Sequence, residues 1–193
     1  MILYTHNWYI YLIFMKILIT GGCGFVGSNL ALYLKKKSTK FKIHSIDNLS
    51  RKGSKINKKR LTKYKIKNYN LDIGKNNLSK LPRYDLIIDC CAETAIEDSK
   101  KIPNKVFNTN LIGTFNLMEK VKREKSDLIF LSSSRVYSIN KLNLIKLSKK
   151  KIKSKIKIDE TFGNESPISL YGFTKLSSEC LLKILLYVYL SYI

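Results

Sequence analysis

Histidine and acidic residues are scarce in this chain of 193 residues. The two histidines, His6 and His44, leave little from which to build a zinc site or a Ser-His-Asp triad. None of the four cysteines (Cys23, Cys90, Cys91 and Cys180) has a Cys-x-x-Cys spacing. Three of them fall in expected core elements, so they read as reduced, buried thiols of a cytoplasmic protein. Only 14 acidic residues face 36 Lys and Arg, a net charge of +22. Such a balance raises nucleic acid or an anionic membrane as partners. The lysines are scattered, however, and no basic–aromatic module groups them. Lys, Ile and Asn abound everywhere, as AT-rich coding would produce, and neither nucleic acid nor membrane is expected. The opening "MILYTHNWYIYLIF" is apolar and aromatic but short for a membrane span. It lacks the basic start of a signal peptide, since the first lysine is Lys16. Residues 1–14 are therefore expected to be an extension that the fold does not need, with Met15 opening the first strand of a domain over 15–193.

What is present is concentrated in "MKILITGGCGFVGSNLA" at 15–31. Residues 16–20 read as a short buried strand. Residues from Phe25 to about Lys36 read as a helix, with Val26, Leu30 and Leu34 on one stripe. Further strands are expected in "FKIHSIDN", "YKIKNYNLDI", "YDLIIDCCA" and "SDLIFLSSS". A long helix opened by Pro103 should run over 103–123, and another over 169–190. The basic stretch "RKGSKINKKRLTKYK" reads as a loop or short helix, and 138–158 carries no clear signal. Apolar strands alternating with helices indicate an α/β fold with a parallel sheet covered on both faces.

Gly21, Gly24 and Gly27 lie between the first strand and the first helix. The first permits a tight turn, the second lets backbone approach a pyrophosphate, and the third lets helix pack on sheet. The helix N-terminus offers free N–H groups and partial positive charge to a phosphate. Asp47, ending the second strand, can accept hydrogen bonds from the adenosine ribose and repels a 2′-phosphate, which favours NAD over NADP. Arg51 and Lys52 follow closely enough to leave that choice open. Asp72 ends the third strand within reach of an adenine amino group. Either acid can also serve as an ordinary turn residue.

"SSSRVY" at 132–137 and "YGFTK" at 171–175 form a second constellation. Tyr171 and Lys175 are four apart and share a helix face. A free phenol ionises near pH 10, and a nearby ammonium favours the phenolate. A serine hydroxyl at a strand end can bind the same substrate oxygen, so that a proton leaves an alcohol while hydride leaves its carbon. A plain strand-end turn is the alternative for the serines.

With these pieces in hand, the chain resembles the extended short-chain dehydrogenase/reductases, the NAD-dependent nucleotide-sugar epimerases and dehydratases. The matching segments are "TGGCGFVGSNL", "IDNLSRKGS", "LDI", "DLIIDCCAETAIEDS", "NTNLIGTFNLME", "FLSSSRVYS" and "SPISLYGFTK". "DNLSRKGS", "CAE" and "SSSRVY" look most like the CDP-paratose 2-epimerase (CDP-tyvelose epimerase) branch. The resemblance implies a Rossmann-type α/β sheet, incomplete at the C-terminus, that binds NAD and acts in nucleotide-sugar and polysaccharide metabolism. It implies that Tyr171 is the acid–base residue, that Lys175 binds nicotinamide ribose, and that Ser133 and Ser134 meet the sugar. It further implies cofactor contacts at Gly21, Gly24, Phe25, Val26, Gly27, Asp47, Asn48, Asp72, Ile73, Ala92 and Asn110, besides Tyr171 and Lys175. Asn110 also reads as a helix-surface polar group. Ser134 and Arg135 stand where the dehydratases carry Asp-Glu, which argues against 4,6-dehydration. The family runs to about 300 residues or more, so this chain is expected to lack most of the substrate portion, and its last stretch leaves the family pattern beyond about Leu186. A homodimer is expected through the helices at 103–123 and 169–190. Leu176, Leu181, Leu182, Leu185, Leu186 and Tyr189 cover more of the latter than one sheet-facing stripe requires.

Overall fold

The computed structural model describes residues 2–3, 14–94, 102–145, 157–159, 161–165 and 169–190. Residues 4–13 of the N-terminal extension and the 95–99 part of the fourth matching segment lie outside them. Two compact units emerge, one of residues 1–93 with 108–131, the other of 94–107 with 132–193.

The first unit is built on a sheet whose strands are β1 (Ile2–Leu3), β2 (Met15–Thr20), β3 (Phe41–Ile46), β4 (Lys67–Tyr69), β5 (Leu86–Asp89) and β6 (Asp127–Phe130). Their spatial order is β1-β6-β5-β2-β3-β4. β2 pairs in parallel with β3 and with β5, β3 with β4, and β5 with β6. Ile2 and Leu3 add an antiparallel pair opposite Ile129 and Leu128 at the β6 edge. β2 lies between two parallel partners, which is why Ile17, Leu18 and Ile19 are all but completely buried. Burying each such side chain contributes roughly 1.5–3 kcal/mol.

Helix α1 (Phe25–Lys37) covers the sheet, and its last turn carries Lys35, Lys36 and Lys37, the sign that suits a helix C-terminus. Its buried residues are Gly27, Ser28, Ala31 and Leu32. The expected stripe through Val26 is corrected: Val26 is exposed, and Leu30 and Leu34 are only half-buried beside the core. The reason is close packing. A Cβ on Gly27 would lie 2.4 Å from the Gly21 carbonyl oxygen, so the helix turns its small residues toward the glycine turn. Helix α2 (Ser54–Lys63) forms in the basic stretch and buries Leu61.

The helix expected over 103–123 is present, with a wider turn inside it that apolar spacing does not announce. Helix α3 (Pro103–Phe107) runs through a π-helical turn at Asn108–Ile112 into α4 (Gly113–Glu124). The wider turn goes with two polar residues turned inward, since Thr109 and Asn110 are buried. Thr114 Oγ1 donates to the Asn110 carbonyl at 2.8 Å.

In the second unit, a 3₁₀ turn at Ser134–Val136 precedes α5 (Ile139–Asn143), and α6 (Leu170–Leu190) is the long helix. Ser169 opens α6 as a side-chain cap, its Oγ accepting from Gly172 N–H at 3.0 Å. Leu182 is buried and Leu176, Leu181 and Leu185 are half-buried, while the side chains of Leu186 and Tyr189 lie outside the described residues.

The cysteines depart from the expectation of burial. Cys23 is buried, Cys90 and Cys91 are half-buried, and Cys180 is exposed.

Candidate active site

The first unit gathers a cleft at the C-terminal ends of its parallel strands, where ligands bind in open α/β sheets. It is lined by the glycine turn (Gly21, Gly24), by Asp47, Asn48 and Arg51 after β3, by Asp72 and Ile73 after β4, and by Cys90 to Glu93 after β5.

Local chemistry fixes each wall. Gly21 has φ +59, a left-handed turn that also brings it against the Cys90 carbonyl, where a Cβ would sit at 2.9 Å. Gly24 starts α1 in an extended conformation with no side-chain cap and no acidic residue in the first turn. A Cβ there would meet only the Gly21 oxygen, at 3.1 Å, and otherwise open space. That vacant approach to an uncapped helix start fits a dinucleotide pyrophosphate.

The carboxylate of Asp47 accepts from Cys23 N–H at 3.0 Å and from Leu49 N–H at 2.8 Å. A carboxylate has further lone pairs, so these bonds orient it toward a ribose without exhausting it. Asp72 accepts from Asn48 Nδ2 at 3.1 Å and Gly74 N–H at 3.0 Å, which ties two walls together. Behind the cleft, buried Asp89 accepts from Thr20 Oγ1 and Cys91 N–H, and so pins the start of the loop after β5.

Seven expected cofactor residues therefore line one cleft: Gly21, Gly24, Asp47, Asn48, Asp72, Ile73 and Ala92. Gly27 is buried behind it, and Phe25 and Val26 stand exposed in the first turn of α1. Asn110 lies beneath: its Oδ1 accepts from Glu93 N–H at 2.8 Å and its Nδ2 donates to the Glu93 carbonyl at 3.1 Å. Glu93 and Thr109 are lining residues that the sequence reading did not single out. Glu93 sits in the quoted "CAE" segment, so only its side-chain direction was missing.

In the second unit, Ser133 accepts from Arg135 N–H at 3.1 Å and shapes the turn that follows. Gly172, next to Tyr171, packs on that turn, and a Cβ on it would fall 2.2 Å from the Arg135 carbonyl oxygen. No side chain fits there, so α6 approaches the serine turn at the level of Tyr171. Glu179, two turns further along α6, accepts from Ser132 Oγ. Tyr171 is half-buried and Lys175 almost wholly buried on the helix face they share.

Among the described residues no cluster of His, Cys, Asp and Glu could hold a metal ion. No helix among them is long and apolar enough to cross a membrane.

A parallel sheet with a glycine-lined cleft at its strand ends, and a Tyr-x-x-x-Lys helix packed on a serine turn, defines a Rossmann-type dinucleotide-binding protein. A family model places it more closely, for it matches residues 17–186, and the chain belongs to the NAD dependent epimerase/dehydratase family. The chain is 36% identical over 132 residues to a CDP-paratose 2-epimerase of Salmonella typhi, an alignment covering 64% of this chain and 38% of the relative. It is 34% identical over 133 residues to a dTDP-D-glucose 4,6-dehydratase of Dictyostelium discoideum, covering 65% and 30% respectively. A solved UDP-glucuronic acid 4-epimerase from Bacillus cereus, in complex with UDP-glucuronic acid and NAD, superposes with a TM-score of 0.70 at 28% identity. That match covers 88% of this chain and 52% of the solved one. The chain thus spans about a third to a half of the length of these relatives. The family's cofactor is NAD, and the residues lining the cleft fit it.

Proposed function

We propose that this chain carries the cofactor site and the acid–base residues of an NAD-dependent nucleotide-sugar epimerase. The observation that carries the reading is the packing of the Tyr171 level of α6 directly onto the serine turn, through the space left by Gly172. NAD, when bound in the cleft, would supply the hydride acceptor and donor for a sugar carbon. Tyr171 Oη takes the hydroxyl proton as the alcohol becomes a ketone, and gives it back on reduction. Lys175, one helical turn along from Tyr171, holds a ribose. Ser133 Oγ binds the reacting oxygen, and Ser134 contacts the sugar.

The likeness to the CDP-paratose 2-epimerase favours a transient ketone at C2 of a CDP-sugar. The likeness to the UDP-glucuronic acid 4-epimerase supports a second reading, a ketone at C4 of a UDP-sugar. Ser134 and Arg135, in place of the Asp-Glu pair of the dehydratases, weigh against loss of water. We further propose a cytoplasmic homodimer formed through the 103–123 and 169–190 helices, with no nucleic-acid or membrane partner.

The test is incubation of the purified chain with NAD and either CDP- or UDP-hexoses, followed by proton NMR of the recovered sugar. Inversion at C2 of the CDP-sugar supports the first reading, and inversion at C4 of the UDP-sugar supports the second. A folded chain that binds NAD yet inverts neither is a cofactor-binding portion without turnover. Sedimentation of the same preparation tests the dimer, which a clean monomer would contradict.

A further inference from the structure

We propose that Glu93 is a selectivity residue of the cofactor cleft: by holding Arg51, it withholds the guanidinium that would welcome a 2′-phosphate and keeps the cleft specific for NAD over NADP. The inference rests on reading the cleft as a dinucleotide site.

Arg51 lies four residues beyond Asp47 and lines the same cleft. An arginine just past the strand-end acid is the group suited to a 2′-phosphate, because its planar fork binds phosphate oxygens in pairs. Left to itself, Arg51 would offset the repulsion from Asp47. It is not left to itself. Its Nη2 donates to Glu93 Oε2 at 2.8 Å. The arginine side chain is 44% exposed and the glutamate 6%, so the carboxylate is the anchor and the guanidinium the arm.

The anchor is fixed from behind. Asn110, with no exposed surface, clips the Glu93 backbone on both its N–H and its carbonyl. The arm is fixed at its root, since Ser54 Oγ donates to the Arg51 carbonyl. To reach a 2′-phosphate, Arg51 must break its ion pair with a buried carboxylate, which is costly. The phosphate would also bring about −1.5 to −2 charges beside two carboxylates and one guanidinium. A 2′-hydroxyl requires neither change. Asp47 alone therefore does not set the preference; Glu93 removes the cation that would undo it.

Calorimetric titration of the full chain with NAD and with NADP tests this in wild type, Glu93→Gln, Arg51→Gln and the double variant, with circular dichroism to confirm folding. The quantity read is the ratio of NADP to NAD affinity. Glu93→Gln should raise it about tenfold, the scale of one charge-assisted hydrogen bond. The double variant should return the ratio to near wild type. Arg51→Gln alone, at an exposed side chain, should leave the ratio within about twofold of wild type, because the guanidinium is already engaged. An unchanged ratio in folded Glu93→Gln that still binds NAD overturns the inference alone. So does a gain that persists in the double variant. A large fall in the ratio for Arg51→Gln also overturns it, since that would show Arg51 reaching the phosphate despite Glu93. A folded wild type that binds neither dinucleotide overturns the reading of the cleft, and the inference with it.

Discussion

Alanine at Gly24 and alanine at Gly27 should have opposite signatures, although the two glycines are three residues apart in the same turn. At Gly27 a Cβ would lie 2.4 Å from the Gly21 oxygen, 2.9 Å from its carbonyl carbon and 2.9 Å from the Gly22 Cα. All three are backbone atoms, so the methyl can be housed only by lifting α1 off the turn. Overpacking of this kind costs about 1–3 kcal/mol. Replacing a helical glycine by alanine returns up to about 1 kcal/mol. The net expectation is a loss of about 1–2 kcal/mol, or a fall in Tm of about 2–8 °C for a chain of this size. At Gly24 the backbone is extended with φ −73, open to any residue. The methyl would press only on one oxygen at 3.1 Å. Loss of the glycine cap costs under about 1 kcal/mol. The same methyl, however, occupies the space a pyrophosphate needs, so Gly24→Ala should weaken NAD binding at least about tenfold. Thermal denaturation followed by circular dichroism, paired with NAD titration, separates the two. A Gly27→Ala chain as stable as wild type, or a Gly24→Ala chain that binds NAD normally, would refute the reasoning.

Three other features make independent predictions. Burial, then the ammonium groups of Lys42, Lys67 and Lys16, lower the His44 pKa from its usual 6.5, and Tyr84 Oη lies 2.8 Å from Nδ1. The unfolded chain therefore takes up a proton that the native state resists. Stability should fall as pH drops from about 6.5 toward the lowered native value and then level off. Urea midpoints at pH 7.5 and 5.5 should differ in wild type and converge in His44→Gln; an equal pH slope in both would assign the effect elsewhere. Burial, and next the Asp47 charge, push the Cys23 thiol up to about 12, so roughly one in ten thousand is ionised at pH 8. Peptide mapping after brief iodoacetamide treatment should find exposed Cys180 alkylated and Cys23 intact, and equal labelling of both in folded protein would contradict the packing. Buried Lys120 donates to Glu124 Oε1 at 2.6 Å and to the Pro82 carbonyl at 3.1 Å. Lys120→Met leaves Glu124 Oε1 only the exposed Arg123 guanidinium at 3.3 Å, while among the described residues Oε2 is buried without a partner, and should cost about 1–3 kcal/mol in urea unfolding. A loss below 1 kcal/mol would mean that water reaches this pair.

The sheet was legible because its strands are short apolar runs placed between glycine and acidic stops, and a parallel strand buried on both faces must read that way. The cofactor wall was legible for the same local reason: Gly21, Gly24, Asp47 and Asp72 each sit where a strand ends. Features set by tertiary contact were harder to read. Val26 has the spacing of a core residue, yet it is exposed because Gly27 must face the turn. The π-helical turn at 108–112 leaves no mark on apolar spacing, since it follows the inward placement of Thr109 and Asn110. Asn110 was visible as a candidate, but its hold on Glu93 depends on bringing 93 and 110 together in space. Cys180 reads as a core thiol in an apolar helix, and only the packing of α6 reveals that it faces outward.

The central claim is that the glycine-lined cleft at the ends of β2, β3, β4 and β5 binds NAD. Calorimetric titration of NAD into the purified chain, with Gly24→Val as the control, measures it directly. The account predicts saturable binding of one NAD per chain, lost in Gly24→Val while the variant keeps its wild-type circular dichroism spectrum. A folded wild-type chain that yields no saturable heat with NAD, or a Gly24→Val chain that binds it undiminished, would contradict the claim.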